Sequence, residues 1–361
     1  VTMYHWDLPQ ALQDLGGWVN PILADYFEDY ARILFTQYGN KVKWWITINE
    51  PDHVCQGYAE GSLFAPGLSY AGVGDYLAAH TILQAHARVY HLYDKEFRNA
   101  QKGKIGLSFA GMWFEPKSDT ECDKEASNLA IQFELGWFAH PIFSEDGDYP
   151  MVMKEIIAQN SKAEGRIRSR LPVFDEEWIK KIHGTGDFFG LNHYTSYIVT
   201  KAVPENSSSI SRYSDCGVTR SRDPDWPTSK ASWLKGTQYL FGKILNWIKT
   251  EYNNPPVFIT ENGYGDNGEL EDVGRINYLV NYMSEMLLAI NVNGCKVFGY
   301  TAWCLMDNFE WCSGYTEKFG LYHVDFSDPE RPRTPKHSSQ LLSEIIKHKK
   351  IPSKYVKKYR K

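Results

Sequence analysis

The chain of 361 residues is short of several things, and each shortage removes a class of function. No apolar run approaches the roughly 18 residues that a membrane-spanning helix needs. The longest, such as VFGYTAWCLM at 297–306, stop well before that. Positive charge is also scarce, with 39 Lys and Arg against 44 Asp and Glu for a net charge of -5. Neither nucleic acid nor a membrane is therefore expected as a partner. Cysteine is sparse and unpatterned. Cys55, Cys122, Cys216, Cys295, Cys304 and Cys312 form no C-x-x-C pair and have no metal-type spacing, in a chain too long to need disulfide staples. Most of them read as buried free thiols.

What the chain has is hydrophobic residues, 43% of the total, and aromatics, 15%. The first is enough for a large core. The second suits a core and equally a sugar cleft, where aromatic faces stack on pyranose rings. Short runs rich in β-branched and aromatic residues predict strands at Val1–Tyr4, Trp44–Ile48, Ile105–Phe109, Phe188–Leu191, Val257–Thr260 and Val297–Ala302. Amphipathic stretches between them predict helices at 23–39, 75–97, 128–140, 236–252 and 274–290, with Gly39 placed to end the first. Strand and helix in alternation, with strands apolar almost throughout, form the pattern of a parallel sheet covered by helices. The polar segment 203–230 reads as a long excursion from one βα loop, because the alternation resumes after it. A single α/β domain over 1–361 is expected.

Polar residues recur just past the strands: His5, Trp6 and Asp7, then Asn49 and Glu50, then Asn192, His193 and Tyr194, then Glu261, Asn262 and Gly263, then Trp303. In a (β/α)8 barrel these strand ends converge on the catalytic face. Glu50 and Glu261 are each the first carboxylate after a buried strand. One such acid alone is more often a helix cap or an ion-pair partner. Two of them among His, Asn, Tyr and Trp suit glycoside hydrolysis, in which one acid protonates the leaving oxygen and one carboxylate attacks the anomeric carbon.

The segments HWDLPQAL (5–12), TINEP (47–51), ITENG (259–263), WCLMDNFEW (303–311) and GYTEKFGLYHVDF (314–326) resemble the signatures of glycoside hydrolase family 1, the β-glucosidase family. The likeness is strongest to insect β-glucosidases and insect myrosinases, and it runs through essentially the whole chain. It implies a (β/α)8 TIM barrel and a retaining β-glycosidase acting on terminal β-D-glucosides. It further implies Glu50 as general acid/base, Glu261 as nucleophile and Tyr194 as the hydrogen-bond donor that keeps Glu261 ionised. His5, Trp6, Asn49, Asn192, Trp303, Glu310 and Trp311 become sugar-binding groups, and Trp233 an aglycone platform. Glu50 then has to carry a raised pKa, from burial or from Glu261. No metal or organic cofactor is implied.

Departures accompany the likeness. Cys304 stands where the family commonly has Ser, and Cys312 follows Trp311, so two thiols are expected near the sugar site. Only about six of eight βα units are legible, with the first two expected to be missing, along with a glutamine and an arginine that the family places in the site. Unpaired sheet edges are then expected at Val1–Tyr4 and Val297–Ala302, covered by a second copy or a complementing N-terminal segment. A non-catalytic sugar-binding or interaction protein of glycosidase ancestry remains the alternative. The sequon Asn206-Ser207-Ser208 and the resemblance together suggest secretion.

Overall fold

The computed structural model describes residues 1–59, 61, 63–202 and 209–359. The sequon at 206–208 lies outside them. Nine strands organise the part that builds the cleft: β1 (Thr2–Tyr4), β2 (Trp44–Asn49), β3 (Lys104–Ala110), β4 (Trp113–Pro116), β5 (Phe188–Asn192), β6 (Ser196–Lys201), β7 (Val218–Ser221), β8 (Val257–Gly263) and β9 (Val297–Trp303). Six of them form one parallel sheet in the order β1-β2-β3-β5-β8-β9. All six predicted strands are present, each within three residues of its expected bounds. Parallel strands need crossovers, and helices at Leu23–Tyr38, Gly74–Leu92, Phe241–Glu251 and Val273–Asn291 supply the longer ones.

The sheet is strongly curled. Trp44 on β2 stacks on Phe298 of β9 at 5.0 Å between ring centroids, although three strands separate them in the sheet order. With Phe188 and Phe258 these rings plug the N-terminal end. At the other end His5, just past β1, lies 5.9 Å from the ring of Trp303 on β9. Curling therefore gathers the C-terminal strand ends into one mouth. Among the described residues, β1 and β9 each have a single strand partner and do not pair with each other.

The helix Leu23–Tyr38 buries Leu23, Ala24, Phe27, Ala31 and Phe35, whereas Tyr26, Tyr30 and Ile33, which also repeat at three- and four-residue spacing, face outward. Gly39 ends it for a different reason from the one expected. Its φ is -59°, within the right-handed region, so no left-handed cap forms. Glycine here leaves room for the Gln101 side chain, whose amide donates to the Phe35 carbonyl at 2.8 Å and whose end a Cβ would displace.

The segment 203–230 also differs from expectation. Residues 203–208 lie outside the described residues; the excursion starts earlier, at β6, and β7 pairs antiparallel to β6 while β4 pairs parallel to β6 on its other edge. This second, three-stranded sheet is a wall of the cleft. Its alternation is short and polar-facing, which hides it from a reading based on apolar runs. Of the six thiols, Cys55, Cys216, Cys295 and Cys304 are buried, Cys122 and Cys312 are exposed, and none is in a disulfide.

Candidate active site

A cleft of about 440 Å³ opens at the C-terminal end of the sheet. His5, Trp6, Glu50, Asn192, Tyr194, Trp233, Glu261, Trp303, Glu310 and Trp311 all line it, so ten of the eleven residues named from sequence meet there. Asn49 is the exception. It is buried behind the wall, where its amide nitrogen contacts His5 Nε2 at 3.2 Å, its backbone carbonyl accepts from Trp6 Nε1 at 2.9 Å, and its side-chain oxygen accepts from Asn192 at 3.0 Å. Its part is to orient three residues that do face the cleft.

Asn192, the last residue of β5, bonds one acid and is the strand partner of the other. Its side-chain oxygen accepts from Ser108 Oγ at 2.9 Å and Thr260 Oγ1 at 2.6 Å. Those bonds fix which end of the amide is nitrogen. The nitrogen then donates to Glu50 Oε1 at 3.1 Å, and Asn192 is the register partner of Glu261 on the adjacent strand. Tyr194 donates to Glu261 Oε2 at 2.8 Å.

The backbone is shaped to aim these groups. Glu261 lies inside β8, and Gly263 two residues on is packed so closely that an added Cβ would meet the Trp303 carbonyl oxygen at 2.0 Å. Hence the glycine in ENG. Glu50, Trp6 and Trp311 have φ of 47°, 72° and 49°, left-handed values that cost L-residues free energy and concentrate at functional sites. Glu50 thereby turns out of β2 at the start of the short helix Pro51–Gln56.

The electrostatics correct one expectation. Burial raises the Glu50 carboxyl, but His53, 3.2 Å away on the next turn, together with Asn192, reverses the balance, and the pKa is lowered. His53 sits between Glu50 and Asp52, and although burial alone would lower it, the two acids raise its pKa to about 9. Glu261 moves the other way: burial and the nearby Glu50 push it well up, against the smaller opposing pulls of Tyr194 and Asn192. The hydrogen bond from Tyr194 opposes the rise at Glu261 without cancelling it, and of the two acids it is Glu261 rather than Glu50 whose pKa is raised. Among the described residues Glu261 makes no ion pair, which is why its neighbour's negative charge prevails.

On the opposite wall, burial raises Glu310 to about 7, with its Oε1 buried and without a hydrogen-bond partner. Burial lowers His5. An unpaired carboxyl oxygen beside the neutral imidazole and the rings of Trp303 and Trp311 is suited to hydroxyl groups on an otherwise apolar ring. Trp233, 42% exposed, packs edge-on to Tyr194 at the outer rim. Cys312 lines the cleft, while Cys304 is buried and bonds the Met306 carbonyl, outside the lining.

Several lining residues were not read from the sequence: His53, Gln56, Phe64, Met112, Tyr197, Tyr213, Glu134, Arg220 and Arg222. His53 had a usable signal, its three-residue spacing from Glu50 at a helix start. Arg220 and Arg222 had another, the period-two spacing of a strand in VTRSR.

Residues 1–351 match the family described as glycosyl hydrolase family 1. Myrosinase 1 of Brevicoryne brassicae is 48% identical over 356 residues, covering 96% of this chain and 74% of that protein. Human lactase/phlorizin hydrolase is 46% identical over 359 residues, and the chain spans 98% of its own length but 18% of that much longer protein. The solved aphid myrosinase structure superposes with a TM-score of 0.90 at 46% identity, covering 96% of this chain and 74% of that one. A rice Os3BGlu6 β-glucosidase structure gives 0.88 at 37%, covering 94% and 74%. The curled parallel sheet is thus built on the (β/α)8 barrel plan of these enzymes.

Proposed function

The chain belongs to glycosyl hydrolase family 1, whose β-glycosidases cleave with retention, and from that membership we propose that it hydrolyses terminal β-D-glucosides by double displacement. The observation that carries this reading is the meeting of two buried carboxyls in one aromatic-walled cleft, Glu50 held by the amide of Asn192 and Glu261, the strand partner of Asn192, held by the hydroxyl of Tyr194.

Glu261 is the proposed nucleophile. It lies within a sheet strand, the most rigid support available, with Tyr194 fixing one oxygen so that the other is free to attack the anomeric carbon. Glu50 is the proposed acid/base. It protonates the glycosidic oxygen as the glycosyl–Glu261 ester forms, then takes a proton from water as that ester breaks. Trp303 and Trp311 are proposed to stack on the glucose ring, with Glu310 and His5 reading its hydroxyls.

The reaction needs Glu261 charged and Glu50 protonated, the reverse of their resting shifts. Because the two acids interact, they titrate as a pair, and the productive form is the one in which Glu50 holds the proton and Glu261 is charged. Entry of a glucoside displaces water from the cleft and places a basic oxygen beside Glu50, which favours the protonated acid there.

The test follows the anomeric proton by NMR during hydrolysis of 4-nitrophenyl β-D-glucoside. β-Glucose as the first product, and a 2-deoxy-2-fluoroglucosyl label on the peptide containing Glu261, are expected. α-Glucose first would mean inversion, and binding without hydrolysis would favour a sugar-binding protein.

A further inference from the structure

The second sheet carries a charge that the mechanism does not use. Arg220 is the third residue of β7, and Arg222 follows one residue past its end, so period-two geometry puts both on one face, and both line the cleft. They are treated differently. Arg220 Nη1 pairs with Glu134 at 2.8 Å. Arg222 makes no ion pair among the described residues. Its Nη2 donates to the Tyr197 hydroxyl, its guanidinium carbon lies 4.5 Å from the centre of that ring, and its Nε is buried without a hydrogen-bond partner.

Tyr197 is the cross-strand neighbour of Arg222, one step beyond the Ile198–Ser221 pair, so the ring holds the guanidinium plane in place. The arrangement is a positioned cation without an ion-pair partner among the described residues. A guanidinium in that state takes a carboxylate or sulfate in preference to a neutral group, because each charge-assisted hydrogen bond is roughly twice as strong as a neutral one. The acids Glu310 and Glu317 line the cleft too, but Glu310 is the sugar-reading acid proposed above and neither pairs with Arg222.

We propose that Arg222, braced by Tyr197, forms an anion-reading aglycone subsite, so that the chain favours β-glucosides whose aglycone bears a carboxylate or sulfate. This rests on the glucosidase reading for what occupies the rest of the cleft, but it can be tested without turnover. The probes are 4-carboxyphenyl 1-thio-β-D-glucoside and its methyl ester, with dissociation constants measured by calorimetry at low and high salt. For the parent chain the acid is expected to bind about tenfold tighter than the ester at low salt, and the preference to shrink in high salt. Arg222→Met should abolish the preference while the ester's affinity stays within about twofold, and Arg222→Lys should retain part of it.

Equal affinity for both probes in the parent, no binding of either, or a preference that survives Arg222→Met would overturn the subsite. The same proteins are assayed with 4-nitrophenyl β-D-glucoside. Failure there, alongside a carboxylate preference that depends on Arg222, would sink the glucosidase reading and leave the subsite standing.

Discussion

Glu134 and Glu261 line the same cleft and are buried alike, at 6% and 8% exposure, yet their surroundings drive them in opposite directions. Burial raises both. For Glu134, Arg212 at 3.0 Å and Arg220 at 2.8 Å more than offset it, and the pKa falls to about 2. Glu261 has a phenol, an amide and a second carboxylate for neighbours, and its pKa rises. A buried acid is a fixed structural ion when it is matched with cations and a group able to change protonation state when it is not. One wall of the cleft is built of the first kind and the floor of the second.

Removing the unmatched acid should have the largest effect. Glu261→Ala is expected to lower kcat for 4-nitrophenyl β-D-glucoside by at least about 10⁴-fold, as loss of a nucleophile does. Azide should restore slow formation of the inverted product. Activity within tenfold of the parent would assign the nucleophile elsewhere.

Next comes its partner. Glu50→Ala should cost about 10²–10⁴-fold on substrates whose leaving group needs a proton and far less on 2,4-dinitrophenyl β-D-glucoside. The ratio of kcat/KM for the two substrates is the measurement, and an unchanged ratio would end the assignment of Glu50 as the acid.

Glu134→Gln tests the matched side. It leaves Arg212, 3% exposed, without its acid, and should cost about 3 kcal/mol of stability at pH 7 by urea denaturation. The folded pKa of about 2 lies below the ordinary 4.5, so the contribution of Glu134 is complete above pH 4.5 and is lost as pH falls toward 2. The gap between parent and variant should therefore narrow between those values. A gap that did not change with pH would mean that Glu134 acts through packing.

His53→Asn, the smallest change, makes Glu50 more like Glu261. Without the imidazolium, burial dominates at Glu50 and its pKa rises, so the alkaline limb of kcat/KM should move to higher pH. His53 itself stabilises the fold below its ordinary pKa of 6.5, and that contribution is lost as pH rises through about 9. A limb that moved down instead would reverse the role given to His53.

The contrast between the two acids also marks where sequence was readable. Glu50 and Glu261 were legible because each follows a run of apolar, β-branched residues that can only be a buried strand, and in a parallel sheet every strand end points the same way. Asn192, Tyr194 and Trp303 were found by the same rule. Glu134 was not, since it lies in a helical stretch as one of many acids, and its partners Arg212 and Arg220 are distant in sequence. The antiparallel pairing of β6 and β7 was missed because four to six mixed-polarity residues give no periodicity strong enough to separate strand from loop.

By itself, the sequence determined the order of strands and helices and, at the strand ends, seven residues of the cleft lining, because local patterning and strand polarity need no knowledge of distance; Trp233, Glu310 and Trp311 came from the family resemblance. Only the tertiary structure decided which acid is charged. That depends on His53 lying 3.2 Å from Glu50 and on Glu261 having no ion-pair partner among the described residues, and electrostatic energies follow separation and burial, neither of which is written in the order of residues.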